Sequence, residues 1–168
     1  MRFAGPIREA TGSDLPAITE IYNQAVEERV ATCDLSDVAV DDRRAWLERH
    51  TPPHGVWVAE EGRTVQGWVV VAPYDSKRCF RRTATFSTYV RREVRGRGVG
   101  AALRGFMIDI ARERGFHALV NRVWANNEPS IALAKRFGFR QVGHLPELVE
   151  IDGEFVDCLL FELLLDHR

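Results

Sequence analysis

Residues 89–100 read YVRREVRGRGVG, four arginines and three glycines set directly behind an apolar run. The whole chain carries a formal net charge of -1, so the positive charge here is local and not part of a basic surface. Upstream, residues 80–90 have the β-branched and aromatic content of a strand. Downstream, Leu103, Phe106, Met107, Ile110 and Ala111 recur at helical spacing until Gly115 ends the run. A strand, a glycine-rich turn and a helix start bring several backbone N–H groups to one point, and the helix dipole adds positive potential. Gly96, Gly98 and Gly100 let backbone approach a bulky anion. Arg95 and Arg97 can supply charge-assisted hydrogen bonds, which suits a phosphate or pyrophosphate. Arg91 and Arg92 read as solvated loop charges.

Working outward, 168 residues suffice for one domain with a substantial core, and no linker, repeat or low-complexity tract divides residues 1–168. A composition 45% apolar and 28% charged is that of a globular chain. Near-neutral charge excludes a global field for nucleic acid or an anionic membrane. Three scattered cysteines, Cys33, Cys79 and Cys158, show neither a disulfide framework nor metal spacing, which points to a reducing, cytoplasmic setting. His50 and His54 are separated by Pro52 and Pro53, which bars the helical turn of a zinc pair, so no metal is expected. There is no apolar leader at the start and no run of apolar residues long enough to span a bilayer.

The remaining elements follow from periodicity and turn residues. PIREAT is a short strand, and a helix capped by Ser13 follows, with Ile18, Ile21, Tyr22, Ala25 and Val26 on its apolar face. A second helix is expected from Asp41 to His50, then a hairpin turning at Glu61-Gly62. HALVNRVW is a strand, and NNEPSIALAKRFGF a helix capped by Asn127 and ended by Gly138. Two last strands join at Asp152-Gly153. The order β-α-α-β-β-β-α-β-α-β-β predicts an α/β domain with a mixed sheet. Trp57, Trp68 and Trp124 read as sheet packing.

Three phosphate motifs compete for the glycine turn. The P-loop is excluded because Gly-Lys-Ser/Thr is absent. Gly96, Gly98 and Ala101 formally satisfy G-x-G-x-x-A, but the acidic residue a dinucleotide site needs on the next strand is replaced by VNRVW. The third, R-x-x-G-x-G, is filled by Arg95, Gly98 and Gly100. With NEPSIALAKRFGF downstream, it resembles the coenzyme A signature of the GNAT superfamily of N-acyltransferases. IYNQAVEERVATCD, RAWLERH, GWVVVAPY and STYVRREVRGRGVG are similar, in order, to segments of its phosphinothricin acetyltransferase-like branch.

That resemblance implies a GNAT fold, a mixed, mostly antiparallel sheet flanked by about four helices. It implies acetyl-CoA as co-substrate, a primary amine of a small molecule as acceptor, and a homodimer. It places the pyrophosphate on Arg95, Gly96, Arg97, Gly98, Val99, Gly100 and Ala101. The pantetheine and thioester fall to the backbone of Thr88, Tyr89 and Val90, with Asn127 and Arg136 nearby. Asn127 can equally be a plain helix cap. A main-chain N–H at Tyr89 would stabilise the oxyanion.

The branch's glutamate base corresponds to Thr85, and its usual acid to Ala134. Neither can move a proton at neutral pH. The tail LPELVEIDGEFVD offers Glu147, Glu150, Asp152, Glu154 and Asp157, with Glu150 the candidate replacement base. Such a cluster at a pocket mouth would favour a cationic amine, while solvated hairpin charges explain it as well. Asp75, Thr85, Phe86 and Ser87 are the expected acceptor contacts. An acyl-CoA-binding module without turnover is the alternative.

Overall fold

In chain order the structure, a computed structural model describing residues 3–165, runs β1 (Ile7–Glu9), α1 (Leu15–Glu28), α2 (Val40–Arg49), β2 (Gly55–Glu61), β3 (Thr64–Pro73), β4 (Thr83–Val90), α3 (Val99–Glu113), β5 (Ala118–Trp124), α4 (Glu128–Arg136), β6 (Arg140–Ile151) and β7 (Glu154–Leu164). This is the expected order. One seven-stranded sheet, β1-β2-β3-β4-β5-β7-β6, holds all the strands. Every neighbouring pair is antiparallel except β4 with β5.

Strand alternation sends successive side chains to opposite faces, and each face builds its own core. Trp57, Val69, Val71 and Phe86 join Leu103, Met107 and Ala111 of α3 on one face. Val56, Val58, Trp68 and Val70 meet Ile18, Ile21, Tyr22 and Val26 of α1 on the other. Trp57, Trp68 and Trp124 are buried in the sheet as expected, and the Trp68 indole N–H donates to the carbonyl of Ile18 at 3.1 Å. At Gly67 a side chain would meet the Tyr89 carbonyl at 2.7 Å and both Val99 and Leu103 within 3.2 Å, so this glycine sets how closely α3 rides on β3.

The start of α1 differs from expectation. Ser13 is not its cap: its hydroxyl is drawn to Thr11 Oγ1 at 2.8 Å. Residues 12–14 form a 3₁₀ turn in which the Thr11 N–H donates to the Asp14 carboxylate at 2.8 Å. Arg8 holds the same nearly buried carboxylate through two bonds of 2.8 and 2.9 Å. The buried stripe of α3 is also rotated from the expected one, toward Leu103, Arg104, Met107 and Ile108.

One irregularity in the sheet positions everything that follows. β4 pairs with β3 along its whole length, from Ala84 opposite Pro73 to Val90 opposite Gly67. β5 likewise follows β7 from Ala118 to Trp124. Between them, β4 and β5 pair only at Thr83–Ala118 and Ala84–Leu119, then diverge. Each strand is drawn toward its other neighbour, and a wedge opens in the middle of the sheet.

Candidate active site

The wedge is a cavity lined by residues 86–89 of β4, residues 121–124 of β5, Arg104 of α3, Asn127 and Ser130 at the start of α4, and Val30 and Ala31 after α1. The N–H of Arg91 donates to the Gln66 carbonyl at 2.9 Å. By the two-residue alternation of an antiparallel ladder, the main-chain groups of Tyr89 therefore face β3, while those of Thr88 and Val90 face the wedge. The expected oxyanion donor at Tyr89 is thus turned away, and the N–H groups that face the wedge are those of Thr88 and Val90. The Tyr89 ring packs against Trp68 and Tyr22 with centroids 4.6 and 5.2 Å away, and its hydroxyl donates to the Ala31 carbonyl at 3.4 Å. Burial pushes that phenol well above its usual range, so it stays protonated.

At the outer end of the wedge lies the glycine turn. Gly96 and Gly98 have φ of 76° and 91°, in the left-handed region, and Gly98 is the residue from which α3 starts. Gly100 is different. It lies inside the helix, and a Cβ there would meet Val90 and Leu133 at 3.5 and 3.7 Å, ordinary contact. The fold therefore has no need of a glycine at that point. The orphaned, buried Thr88 Oγ1 lines the same wedge. These residues fit a long ligand with a phosphate at one end and polar groups along its arm, which is the chemistry of acetyl-CoA.

The arginines around the turn are divided in use. Arg91 and Arg92 are both ion-paired, Arg92 while remaining at the surface as expected. Arg91 pairs with Glu20 at 2.5 Å and donates to the Val65 carbonyl, and Arg92 pairs with Glu27 and Glu28 at 2.6 and 2.8 Å. Arg95, expected on a phosphate, gives Nη1 to both Glu28 oxygens at 2.8 Å and Nε to the Val90 carbonyl. Burial alone would push the Glu28 carboxyl up, but its hydrogen bonds from Arg95 and Arg92 outweigh this and hold it below its usual range. Four arginine–glutamate contacts thereby lock the end of β4 to α1. Arg97 is exposed, and no ion pair engages its side chain among the described residues.

Asn127 serves the fold with both ends of its amide. Its Oδ1 accepts from the Ser130 N–H at 3.2 Å, and its Nδ2 donates to the Val30 carbonyl at 3.0 Å. The helix-cap reading is therefore right, and one N–H and one lone pair remain for a ligand. Arg136 is exposed beside Phe137 and does not line the wedge.

The proton-handling candidates are not brought together. Glu150 is exposed on β6 opposite Phe155 and lies outside the cavity lining. The other acidic residues of the tail are not in the cavity lining: Asp152 pairs with Arg29 at 3.0 Å, and Asp157 binds His144 and the Glu147 N–H at 2.6 and 2.9 Å. Asp75 is exposed and accepts from the Lys77 N–H at 2.8 Å. Thr85 is half-buried opposite Ala72, short of the lining, whereas Phe86 and Ser87 do line it. Among the described residues lining the wedge there is no carboxylate and no histidine, but there are two arginines, Arg104 and Arg122.

A strand wedge beside a glycine-rich helix start is one arrangement, and comparison with known proteins agrees. The model of the Acetyltransferase (GNAT) family matches residues 15–139. The chain belongs to the GNAT acetyltransferase family. It is similar to the L-amino acid N-acyltransferase MnaT of Escherichia coli, 34% identical over 163 residues, 96% of this chain and 95% of that protein. It is 35% identical to the L-methionine sulfoximine/L-methionine sulfone acetyltransferase of Salmonella typhimurium, with the same coverage of each chain, 96% and 95%. The crystal structure of ribosomal-protein-alanine N-acetyltransferase from Brucella melitensis superposes with a TM-score of 0.92 at 36% identity, covering 95% of this chain and 99% of that one. A Sinorhizobium meliloti phosphinothricin acetyltransferase in complex with AcCoA gives 0.91 at 25% identity, covering 95% and 88%. This GNAT protein is an N-acetyltransferase with acetyl-CoA as its co-substrate.

Sequence reasoning missed Arg104, hidden one residue along from the apolar stripe of α3, and the Tyr22–Thr32–Asp34 cluster. The Tyr22 hydroxyl donates to Asp34 at 2.5 Å and sits 2.5 Å from the Thr32 hydroxyl. The guanidinium of Arg43 lies 3.8 Å above the Tyr22 ring. A tyrosine at a helical core position gives no sign in sequence that its hydroxyl is part of a polar network.

Proposed function

We propose that this enzyme acetylates the primary amine of a small amino-acid-like molecule by direct attack in a ternary complex. The observation that carries the reading is the β4–β5 wedge, whose strand β4 leads directly into the glycine turn at the start of α3. The pyrophosphate would lie on the first amides of α3 with Arg97 beside it, and the pantetheine along the inward-facing groups of Val90 and Thr88. One of those N–H groups would bond the thioester oxygen as it gains charge.

Acceptor chemistry follows from the lining. A lining with no carboxylate gives a polyamine nothing to pair with, and Arg122 attracts an acceptor that bears a carboxylate. The names of the MnaT and methionine sulfoximine relatives are in keeping with that class. With no base in the wedge, the amine sheds its proton to water before attack, and the thiolate leaves unaided, its conjugate acid having a pKa of about 8.5.

Exposed Val142, Leu145, Leu148 and Phe155 on the β6–β7 hairpin support a homodimer through that face. Three free cysteines accord with a cytoplasmic home. The test is coenzyme A release from acetyl-CoA over a panel of amino acids, methionine sulfoximine, phosphinothricin, polyamines and short peptides. Faster turnover of polyamines than of every amino acid would overturn the acceptor assignment.

A further inference from the structure

Arg104 is the most unusual residue of the fold. It is 2% exposed, yet its Nε and Nη1 have no hydrogen-bond partner, and no acidic side chain forms an ion pair with it among the described residues. Its guanidinium lies 4.5 Å from the centroid of Phe86 and 5.5 Å from that of Phe139. Aromatic faces attract a cation but do not replace the hydrogen bonds it gave up on leaving water. Burial draws its pKa down to about 10, which still leaves it charged at neutral pH. A buried, charged, unsatisfied donor that lines a cavity is a site waiting for an anion.

Its position says which part of the ligand meets it. The phosphate end of the groove is at Gly100, whose Cβ position lies 3.5 Å from Val90. Four residues along β4, about 13 Å at strand rise, the groove reaches Phe86 and Arg104. The far end of the coenzyme from its pyrophosphate is the acyl group on sulfur. Alternation fixes the face as well. Phe86 packs on the α3 side, whereas Tyr89 packs with α1. Ser87 and Thr85 share the α1 face with Tyr89, whereas Arg104 and Phe86 are on the α3 face, the side of the helix start that is assigned the pyrophosphate. Thr88, its Oγ1 unsatisfied, shares the face of Phe86.

We propose that Arg104 is an acyl-selecting residue, and that besides acetyl-CoA the enzyme takes thioesters whose acyl group ends in a carboxylate, of the malonyl or succinyl class. This rests on the groove being the coenzyme site. The transfer is the same acyl exchange. The amine nitrogen bonds to the thioester carbon, and the C–S bond breaks with its electron pair on sulfur. The proton lost by nitrogen ends on the thiol, and the product is a dicarboxylic half-amide. The distal carboxylate accepts from the Arg104 guanidinium where it lines the cavity and takes no part in the bond changes.

The experiment is calorimetric titration of the full chain with coenzyme A, acetyl-CoA, malonyl-CoA and succinyl-CoA, in wild type, Arg104→Met and Arg104→Gln, without acceptor. At least one carboxyacyl thioester should bind wild type about tenfold or more tighter than acetyl-CoA, as a desolvated charge pair warrants. Both variants should lose that preference while binding coenzyme A within about twofold of wild type. Arg104→Met should also melt no lower than wild type, since an unpaired buried charge has been replaced by an apolar chain of similar length. Equal binding of all thioesters by wild type, with coenzyme A bound, overturns the inference alone. Failure of coenzyme A to bind overturns the groove assignment with it. If Arg104→Met raises the KM for an amino-acid acceptor and leaves thioester preference unchanged, the carboxylate belongs to the acceptor and the inference is wrong.

Discussion

Replacing Gly100 by alanine separates what the fold needs from what the ligand needs. The new methyl would stand 3.5 Å from Val90 Cγ2 and 3.7 Å from Leu133 Cδ2, at ordinary contact, in a residue already helical. Glycine costs a helix up to about 1 kcal/mol relative to alanine, so G100A should be neutral or stabilised by that much at most. In a domain of this size that is a rise in Tm of no more than about 4 °C. Binding should move the other way. The methyl would sit among the first amides of α3, where the pyrophosphate is assigned. Losing one charge-assisted hydrogen bond costs about 1.5–3 kcal/mol. That is a weakening of about 10- to 150-fold in coenzyme A affinity. Differential scanning calorimetry and titration with coenzyme A give both numbers on one preparation. A fall in Tm of several degrees with unchanged affinity would refute the reasoning, because Gly100 would then be serving internal packing.

Other substitutions test other parts of the structure. Thr85→Glu installs a carboxylate where similar enzymes carry a base. It should raise kcat/KM at pH 7 and flatten a pH profile that in wild type climbs about tenfold per unit below the amine's pKa; an unchanged profile would place Thr85 outside reach of the acceptor. Glu28→Gln releases Arg92 and Arg95 and should cost about 1–2 kcal/mol at pH 7. The Glu28 carboxyl is held below its ordinary value of 4.5, so its stabilisation is full above that pH and is lost as pH falls through the folded value. The Tm gap between wild type and Glu28→Gln should therefore close in acid, and a gap that widens there would reverse the assigned sign. Leu148→Lys with Phe155→Lys should leave a monomer by light scattering, with the melting profile of the isolated subunit preserved.

Elements with a strong local code could be read from the chain directly. Gly115, Gly138 and Asp152-Gly153 marked ends and turns because few other residues hold a positive φ, and each does so here. The glycine turn before α3 was legible for the same reason, Gly96 and Gly98 both holding a positive φ. Ser13 misled because three adjacent candidates, Thr11, Ser13 and Asp14, can each cap a helix, and only the distant Arg8 decides among them. Arg95 was assigned to phosphate by its place in a motif, but sequence cannot show that Glu28, 67 positions away, reaches it first. The acidic tail suggested a pocket because its residues cluster in sequence, whereas alternation and ion pairs spread them over a hairpin. Arg104 was illegible in principle: a lone arginine beside an apolar stripe is ordinarily at the surface, and only the divergence of β4 from β5 makes room for it inside.

That divergence also bears on how long the molecule lasts. Past Ala84 and Leu119 the sheet is unfinished at its centre, with one side of each strand turned to an open gap. A ligand that bridges the gap binds only the folded form. At one hundred times its dissociation constant it adds about 2.7 kcal/mol to the free energy of unfolding, lowering the unfolded fraction about a hundredfold. Proteases that act on the opened chain see that fraction, so turnover of the polypeptide is tied to the local supply of acyl thioester. A cell rich in activated acyl groups would keep this catalyst, and one depleted of them would discard it sooner, with no dedicated regulator involved.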